Sequence, residues 1–534
     1  MPDLHAPILV VGGGLGGVAA ALAALEAGQR VILTEEFAWL GGQSTSQAVP
    51  FDEHPWVEDF GVTARYRRLR DGVRQYYRDH YPLTDRARAW TELNPGAGWV
   101  SKLCHEPRVA LAVIEDMLAP WRTNGALVVL QPARPVSATT DGDRVTSVTF
   151  DLLDDGSQVT VTADYVIEAT ETGELLALTG TEYAIGSEAS SEFDEPSAPD
   201  VARPDNHQAV SICFAVDHVD GDHTIDKPAM YDLWASHQPE FWGAPLLSWT
   251  GPEPRTLNVS TRHFEPNPGD DALAVRADQS VTPGDGNLWT FRRILARDLF
   301  TPGSFDSDIT LVNWPQIDYF THPIIDAADG EKRLEEARQL SLSFLYWMQT
   351  EAPRPDGGTG WPGLRIRPDV VGTDDGLAMA PYWREARRIK AVTTVSEKDV
   401  WMRHPDDRAR SFADSIGVGM YRIDLHPSTG GDNYIDVPAS PFQLPLGFLI
   451  PRRVTNLLAT AKTVGTTHIT NGCYRLHPVE WNTGEAAGAL AAHCLAYGLT
   501  PHQVHESTAL TEDFQQTLIQ QGVEVAWPDH VRGY

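Results

Sequence analysis

The sequence predicts an α/β fold: a parallel sheet assembled from separated stretches of chain and extended by a β-meander, joined to a mixed α+β second domain. Three observations predict it. Residues 8–36 read as strand, glycine turn, helix, strand and acid; residues 126–170 read as hairpins leading into a buried strand; and residues 456–498 return to a buried strand followed by a small-residue helix.

Ile8 to Val11 is an apolar run of strand type, and Gly12, Gly14 and Gly17 follow it as G-x-G-x-x-G. A helix is expected from about Gly16 to Ala27, with Gly28 as its stop, and a strand from Arg30 to Leu33 leads to Glu35 and Glu36. This is the pattern of a Rossmann-type dinucleotide site. Gly12 permits the tight turn, Gly14 lets backbone approach a pyrophosphate, and Gly17 lets helix and strand pack closely, while the helix start around Leu15 and Gly16 offers free N–H groups to phosphates. Glu35 falls 18 residues beyond the last glycine, where a carboxylate can accept hydrogen bonds from ribose hydroxyls. Gly358, Gly360 and Gly363 repeat the spacing, but no strand precedes them and Pro362 sits inside the turn, so that copy is read as a loop. The first copy by itself leaves FAD and NAD open.

Gly42, Gln43, Ser44 and Thr45 follow in a glycine-paired turn whose backbone and short side chains can line a pyrophosphate or a flavin edge. Residues 54–100, rich in Arg, Tyr and Trp, read as helices and loops of a separate layer, and Pro107 to Leu118 as a helix with proline in its first turn. Hairpin dipeptides at Asp141-Gly142 and Asp155-Gly156 mark the meander. The strand Tyr165 to Thr170 ends in Ala169 and Thr170, and Gly173 opens a short helix, making a second place where backbone can approach a cofactor. From 186 to 390 the pattern changes to short strands, many Pro, Gly and Trp, and a long helix near 330–350, read as a substrate domain. Within it, Arg384 and Arg388 are spaced to share a helix face and clamp an anion, or else to serve as ion-paired structural arginines. Asn456 to Ala461 is a buried strand, KTVGTTHITNG a small-residue turn, and Pro478 to Tyr497 a helix whose Gly484, Ala487, Gly488 and Ala491 stripe needs a close neighbour, the first helix being the candidate. Residues 508–521 read as one more short helix.

The expected organisation is 1–50, 104–185 and 391–505 as a discontinuous cofactor domain, 51–103 and 186–390 as a substrate or cap domain, and 506–534 as a terminal helix and tail. Net charge is −31, from Asp+Glu 73 against Lys+Arg 42, which argues against nucleic-acid and anionic-membrane surfaces. The 4 cysteines, at 104, 213, 473 and 494, show no C-x-x-C and no zinc or iron–sulfur spacing. No targeting segment and no membrane span is read, so a cytoplasmic location is expected.

The motifs GGGLGG (12–17), GGQST (41–45), VIEATETGELLALTG (166–180), NWPQIDY (313–319), PYWREARRI (381–389), DSIGVGMYRIDLHP (414–427) and NLLATAKTVGTTHITNGCYRLHPVEWNTGEAAG (456–488) lie in order along nearly the whole chain. Together they resemble the FAD-dependent oxidoreductase family of glutathione-reductase-type flavoproteins, many from bacterial secondary metabolism. The resemblance implies bound FAD, with His477 and Pro478 at the start of a helix directed at the flavin. It lacks the cysteine cluster of heterodisulfide-reductase relatives, the W-x-W-x-I-P run of halogenases and a second dinucleotide motif for NAD(P)H. His477 is then the first candidate base or flavin contact, followed by His468 and His105, with Tyr319 and Arg384 as substrate-domain candidates; His105 and Cys104 are also positions where FAD could attach covalently. Three functions follow: a dehydrogenase or oxidase of a small polar metabolite, a single-component monooxygenase using external NAD(P)H, and an FAD-binding subunit for a redox partner. The electron acceptor (O2, a quinone or a protein) is left open, as is the oligomeric state, a homodimer being one arrangement.

Overall fold

The computed structural model describes residues 4–274, 286–404 and 407–533. Strand β1 (Leu4–Val11) enters the glycine turn, helix α1 (Leu15–Glu26) leaves it, and β2 (Val31–Thr34) returns beside β1. Helix α2 (Ala64–His80) and helix α3 (Pro107–Thr123) precede β3 (Leu127–Leu130), which closes one edge of the sheet. The meander follows as β4 (Ala133–Asp141), β5 (Arg144–Leu152) and β6 (Gln158–Glu168).

Six strands of the 7-stranded sheet run in the order β3-β2-β1-β6-β5-β4, and the seventh, from late in the chain, also pairs with β6. β6 organises it: one edge runs parallel to β1 from Leu4↔Val161 to Val11↔Glu168, and the first residues of the other edge pair antiparallel with β5. The rest of that edge, from Val166 to Glu168, is free for a strand from much later in the chain. Strand β2 and the second half of β1, Ile8 to Val11, are buried throughout, as parallel strands covered on both faces are.

The middle of the chain builds a second, antiparallel sheet from β7 (Phe214–His218), β8 (Arg293–Leu295), β9 (Ile309–Val312) and β10 (Leu364–Ile366), in the order β8-β9-β7-β10. Helix α4 (Gly330–Thr350) packs beside it through Leu340, Phe344, Leu345 and Met348. Much of this core is aromatic: Trp249, Phe264, Trp314, Phe344, Trp347 and Trp361 form one network, with Trp249 and Phe264 stacked at 4.8 Å. That is the structural role of the tryptophan-rich stretch.

The chain then comes back. β11 (Leu457–Ala459) takes the open part of the β6 edge, parallel, pairing Leu457↔Val166 through Ala459↔Glu168. Two helices follow, α5 (His468–Tyr474) and α6 (His477–Tyr497), and the short α7 (Thr508–Gln520) packs near the end. α6 lies directly on α1. A Cβ on Gly484 would stand 1.9 Å from the Gly16 carbonyl oxygen, and one on Gly488 would stand 2.1 Å from that of Ala20. The glycine stripe of α6 is thus seated on the glycine-turn helix, as its spacing required.

Two local expectations are corrected. Residues 462–472, read as a turn, contain the start of α5. Thr467 accepts from the Thr470 N–H and Thr470 Oγ1 accepts from the Thr467 N–H, a capping box built from two threonines instead of the usual acid. Arg384 and Arg388 share no helix. Their segment is extended, because Tyr382 exchanges backbone hydrogen bonds with Ser211 and Arg388 pairs with Ala184 across a short antiparallel ladder. The two side chains go to different partners.

Candidate active site

Gly12 sits at φ 102°, and a Cβ there would fall 2.2 Å from the Ala169 carbonyl oxygen, so the end of β1 and the end of β6 touch through bare backbone. A Cβ on Gly17 would meet the Gly12 carbonyl oxygen at 1.9 Å. The Gly13 N–H donates to Glu35 Oε2 at 2.8 Å and the Phe37 N–H to Glu35 Oε1 at 2.9 Å, which locks the acid to the turn. Burial, opposed by those two N–H bonds, pushes the Glu35 carboxyl up to about 8. Glu36 is also raised by burial and pairs with Arg134 at 3.5 Å.

A cavity of about 320 Å³ opens here, lined by Gly12, Gly14, Glu35, Arg134, Thr170 and Trp383 among others. Ala169 also lines it, while the Thr170 side chain is spent locally: its Oγ1 donates to Glu168 and accepts the N–H of Gly173. Gly173, at φ 77°, starts the following short helix. The cavity thus runs from the acid at the end of β2, past the glycine turn, to Trp383 of the middle region.

Gly41 and Gly42, both at positive φ, fold the second turn back on the first, the Gly41 N–H donating to the Gly13 carbonyl at 2.8 Å. Ser44 and Thr45 donate to the Gly41 and Leu40 carbonyls, so they shape the turn from within. Gln43 Nε2 donates to the Arg475 carbonyl at 2.9 Å and ties this turn to the chain just before α6.

His477 starts α6, with Pro478 next in the first turn, and is fully buried. Its Nδ1 accepts the Asp52 N–H at 3.0 Å, which places its proton on Nε2. Burial, with His105, Arg292 and Lys462 nearby, holds His477 well below the usual imidazole range. A ring so held stays neutral and is a poor proton acceptor, so His477 fits the contact role better than the role of base. His105 is likewise buried and lowered to about 4, and burial pushes the Cys104 thiol up to about 12.

The other candidates fall into separate clusters. His468 Nδ1 contacts Glu385 at 3.1 Å, inside a buried network in which Arg388 joins Glu385 to Glu188. Tyr319 donates to Glu336 of α4 at 2.7 Å. Arg384 lies over the Tyr382 ring at 4.9 Å, donates to Ser211 Oγ at 2.9 Å and pairs with Asp318 at 3.3 Å.

Asp318 leads to residues the sequence reading had not singled out. It is fully buried, and its second oxygen meets His426 Nδ1 at 2.5 Å. Burial would raise Asp318, but Arg384 and His426 outweigh it and hold the carboxyl below its ordinary range. His426 Nε2 faces Asp424 at 3.8 Å, and the ring lies edge-on to Tyr434 at 5.5 Å, whose buried hydroxyl has no partner among the described residues. Arg475 closes the circuit by donating to the Asp424 carbonyl at 2.9 Å while its own carbonyl accepts from Gln43. The His426–Asp318 pair is therefore linked through Asp424 and Arg475 to Gln43 in the second glycine turn.

Among the described residues, several buried polar atoms of the second turn and of the chain leading into α6 have no partner: Gln43 Oε1, both amide atoms of Gln47, Asn471 Oδ1, Arg475 Nε and His477 Nε2. Polar groups left this way in a protein interior are costly unless something satisfies them. A bare-backbone glycine turn, a buried acid held to it, an adjoining cavity and these unsatisfied groups are the features of a dinucleotide-binding protein of the flavoprotein class. The family model for FAD dependent oxidoreductases matches residues 7–518, so the chain belongs to that family, with FAD as its cofactor. No match is found among curated proteins.

Solved structures that align include the aromatic hydroxylase CabE from angucycline biosynthesis, at 16% identity over 42% of this chain and 38% of CabE, TM-score 0.23. The flavin-dependent monooxygenase PieE, in complex with FAD and substrate, aligns at 12% identity over 98% of this chain and 63% of PieE, TM-score 0.34. E. coli quinol fumarate reductase FrdA aligns at 10% identity over 98% of this chain and 74% of FrdA, TM-score 0.33. The chain therefore spans less than two thirds of the first two. Among the described residues, no helix is long and apolar enough to cross a membrane.

Proposed function

We propose that this FAD-dependent oxidoreductase is a dehydrogenase or oxidase that removes hydride from a C–H beside an alcohol or amine of a small polar metabolite. FAD, when bound, supplies the two-electron acceptor. The observation that carries the reading is the His426–Asp318 pair, with Asp318 from the middle region and His426 from the segment after it, joined through Asp424 and Arg475 to Gln43 in the second glycine turn.

With Nδ1–H directed at Asp318, His426 keeps Nε2 as the acceptor for the substrate O–H or N–H proton. The imidazolium so formed sits between two carboxylates, Asp318 and Asp424. Arg384 keeps Asp318 ionised, so Asp318 orients the ring and does not itself take the proton. The start of α6 carries about +0.5 elementary charge, which favours negative charge placed against it. The neutral His477 there adds an Nε2–H donor rather than a competing positive charge.

The test is an anaerobic screen of polar alcohols and amines, scored by loss of the oxidised flavin absorbance. A substrate that bleaches the flavin with no pyridine nucleotide present supports the reading. Rapid bleaching by NADPH alone, with every alcohol and amine inert, refutes it in favour of an externally reduced monooxygenase. O2, a quinone and a protein are then compared as acceptors by the rate at which each restores the colour.

A further inference from the structure

The glycine turn is partly filled by a carboxylate of the chain itself. Glu171, two residues past Ala169, places Oε1 2.8 Å from where a Cβ on Gly14 would stand and 2.8 Å from where one on Gly42 would stand. These two glycines bare their backbones toward each other, and the space above them is what a diphosphate needs. Glu171 Oε2 contacts Lys462 Nζ at 2.7 Å, and the same Nζ donates to Glu480 Oε1 at 2.6 Å. Lys462 is 1% exposed, so a single buried cation serves two carboxylates.

The adjoining cavity is acidic as well. Glu35, Glu36, Glu171 and Glu174 line it, and the cation among its lining residues, Arg134, is already paired with Glu36. A cofactor diphosphate bears at least two negative charges, and bringing it against an ionised Glu171 in a half-buried cleft is strongly unfavourable. Glu171 differs from Glu480 in one respect that matters: its side chain is 19% exposed and borders the cavity, whereas that of Glu480 is 1% exposed. Glu171 has room to move; Glu480 does not.

We propose that Glu171 is a displaceable stopper of the diphosphate site. When FAD binds, its diphosphate takes the place of the Glu171 carboxylate beside Lys462, and Glu171 swings toward the cavity mouth. Glu171 thereby sets cofactor affinity by competing for the buried cation, and Lys462 exchanges one anion for another without ever being left unpaired. The proposal rests on the glycine turn being the diphosphate site.

The experiment strips FAD from the full-length protein and titrates it back, following the quenching of flavin fluorescence on binding. Glu171→Gln keeps the shape and removes the charge, and is expected to lower the Kd for FAD at least threefold. Inorganic pyrophosphate is expected to compete with FAD more strongly in that variant than in the parent. A change of less than threefold, or weaker binding, overturns the proposal, since it would mean that Glu171 is neutral toward FAD or a ligand of it. Gly14→Val, checked for an unchanged melting profile, tests the underlying site separately. If it binds FAD like the parent, the placement of the diphosphate is wrong; if it loses FAD while Glu171→Gln gains nothing, the stopper alone fails.

Discussion

Replacing Gly484 by alanine probes the contact on which the cofactor turn is mounted. The new Cβ would lie 1.9 Å from the Gly16 carbonyl oxygen, well inside the 3.0 Å below which real Cβ contacts essentially never occur. The obstacle is backbone, so no side chain can rotate away; α6 must move off α1. Two opposing effects set the size. Alanine in a helix interior is favoured over glycine by about 1 kcal/mol, while overpacking in a tight core costs about 1–3 kcal/mol and occasionally more. A backbone collision over an ångström deep belongs at the upper end, for a net loss of about 2 kcal/mol. Gly488→Ala strikes the Ala20 carbonyl one turn further along the same pair of helices. One outward shift of α6 relieves both collisions, so the double variant is expected to cost less than the sum of the singles. Urea unfolding of the parent and the three variants supplies the free energies, and FAD titration reports whether residues 12–17 have moved with α1. A Gly484→Ala protein stabilised by about 1 kcal/mol, the gain expected at an unpacked helix position, would refute the claimed contact.

Once a substrate is in hand, His426→Gln should lower kcat by about 10²–10⁴-fold and Asp318→Asn should also lower it, with KM changing far less; wild-type rates in either variant would remove the pair from the mechanism. Stability should fall as pH rises from 7.5 to 8.5. Burial raises Glu35 to about 8 and both Glu168 and Glu195 to about 7, from an ordinary 4.5. Across that window the folded chain still holds protons that the unfolded chain has released, so each increment of pH favours unfolding. Histidines 54, 105, 207, 218, 237, 477 and 493 are lowered and oppose this nearer pH 6.5, where the unfolded imidazoles are about half protonated. Urea midpoints that rise between pH 7.5 and 8.5 would contradict the assignment. Arg70, fully buried between Glu53 and Glu58, should be needed for folding: Arg70→Met takes the guanidinium from buried Glu53 and leaves Glu58 with Arg74, and is expected to cost about 3 kcal/mol in thermal or urea unfolding.

The parts of the fold legible in the sequence are those in which the backbone itself is the reason for the residue. Gly12 and Gly17 are glycines because a Cβ would strike another carbonyl, and Gly484 and Gly488 for the same reason. Such constraints leave a spacing that survives without knowledge of the partner. The returning strand at 457–459 was legible as a buried run, though not its place on the open edge of β6. Side-chain pairs made at long range leave no such trace. Asp318 and His426 are 108 positions apart, and although each lies in a motif that carries the family resemblance, nothing in either motif says that the two side chains meet. Histidines near the cofactor motif drew notice first, yet His477 and His105 are buried where an imidazolium is penalised.

Arg384 and Arg388 are ion-paired, as one of the two sequence readings had it, but they share no helix. Their spacing fits one face of a helix, but Tyr382 and Arg388 are claimed by strand partners at 211 and 184, and tertiary pairing decides the backbone before side-chain spacing can. The same pairing has a functional consequence. Because Ser211 receives Arg384 and also donates to Asp318, the carboxylate that orients His426 is set by the docking of 382–384 against 210–211. His426 lies in a different segment, next to Asp424, whose carbonyl is held by Arg475 at the threshold of α6. The acid and the histidine proposed as orienter and base therefore come from separate segments of the chain, and their 2.5 Å contact is a product of the tertiary fold and not of either local sequence.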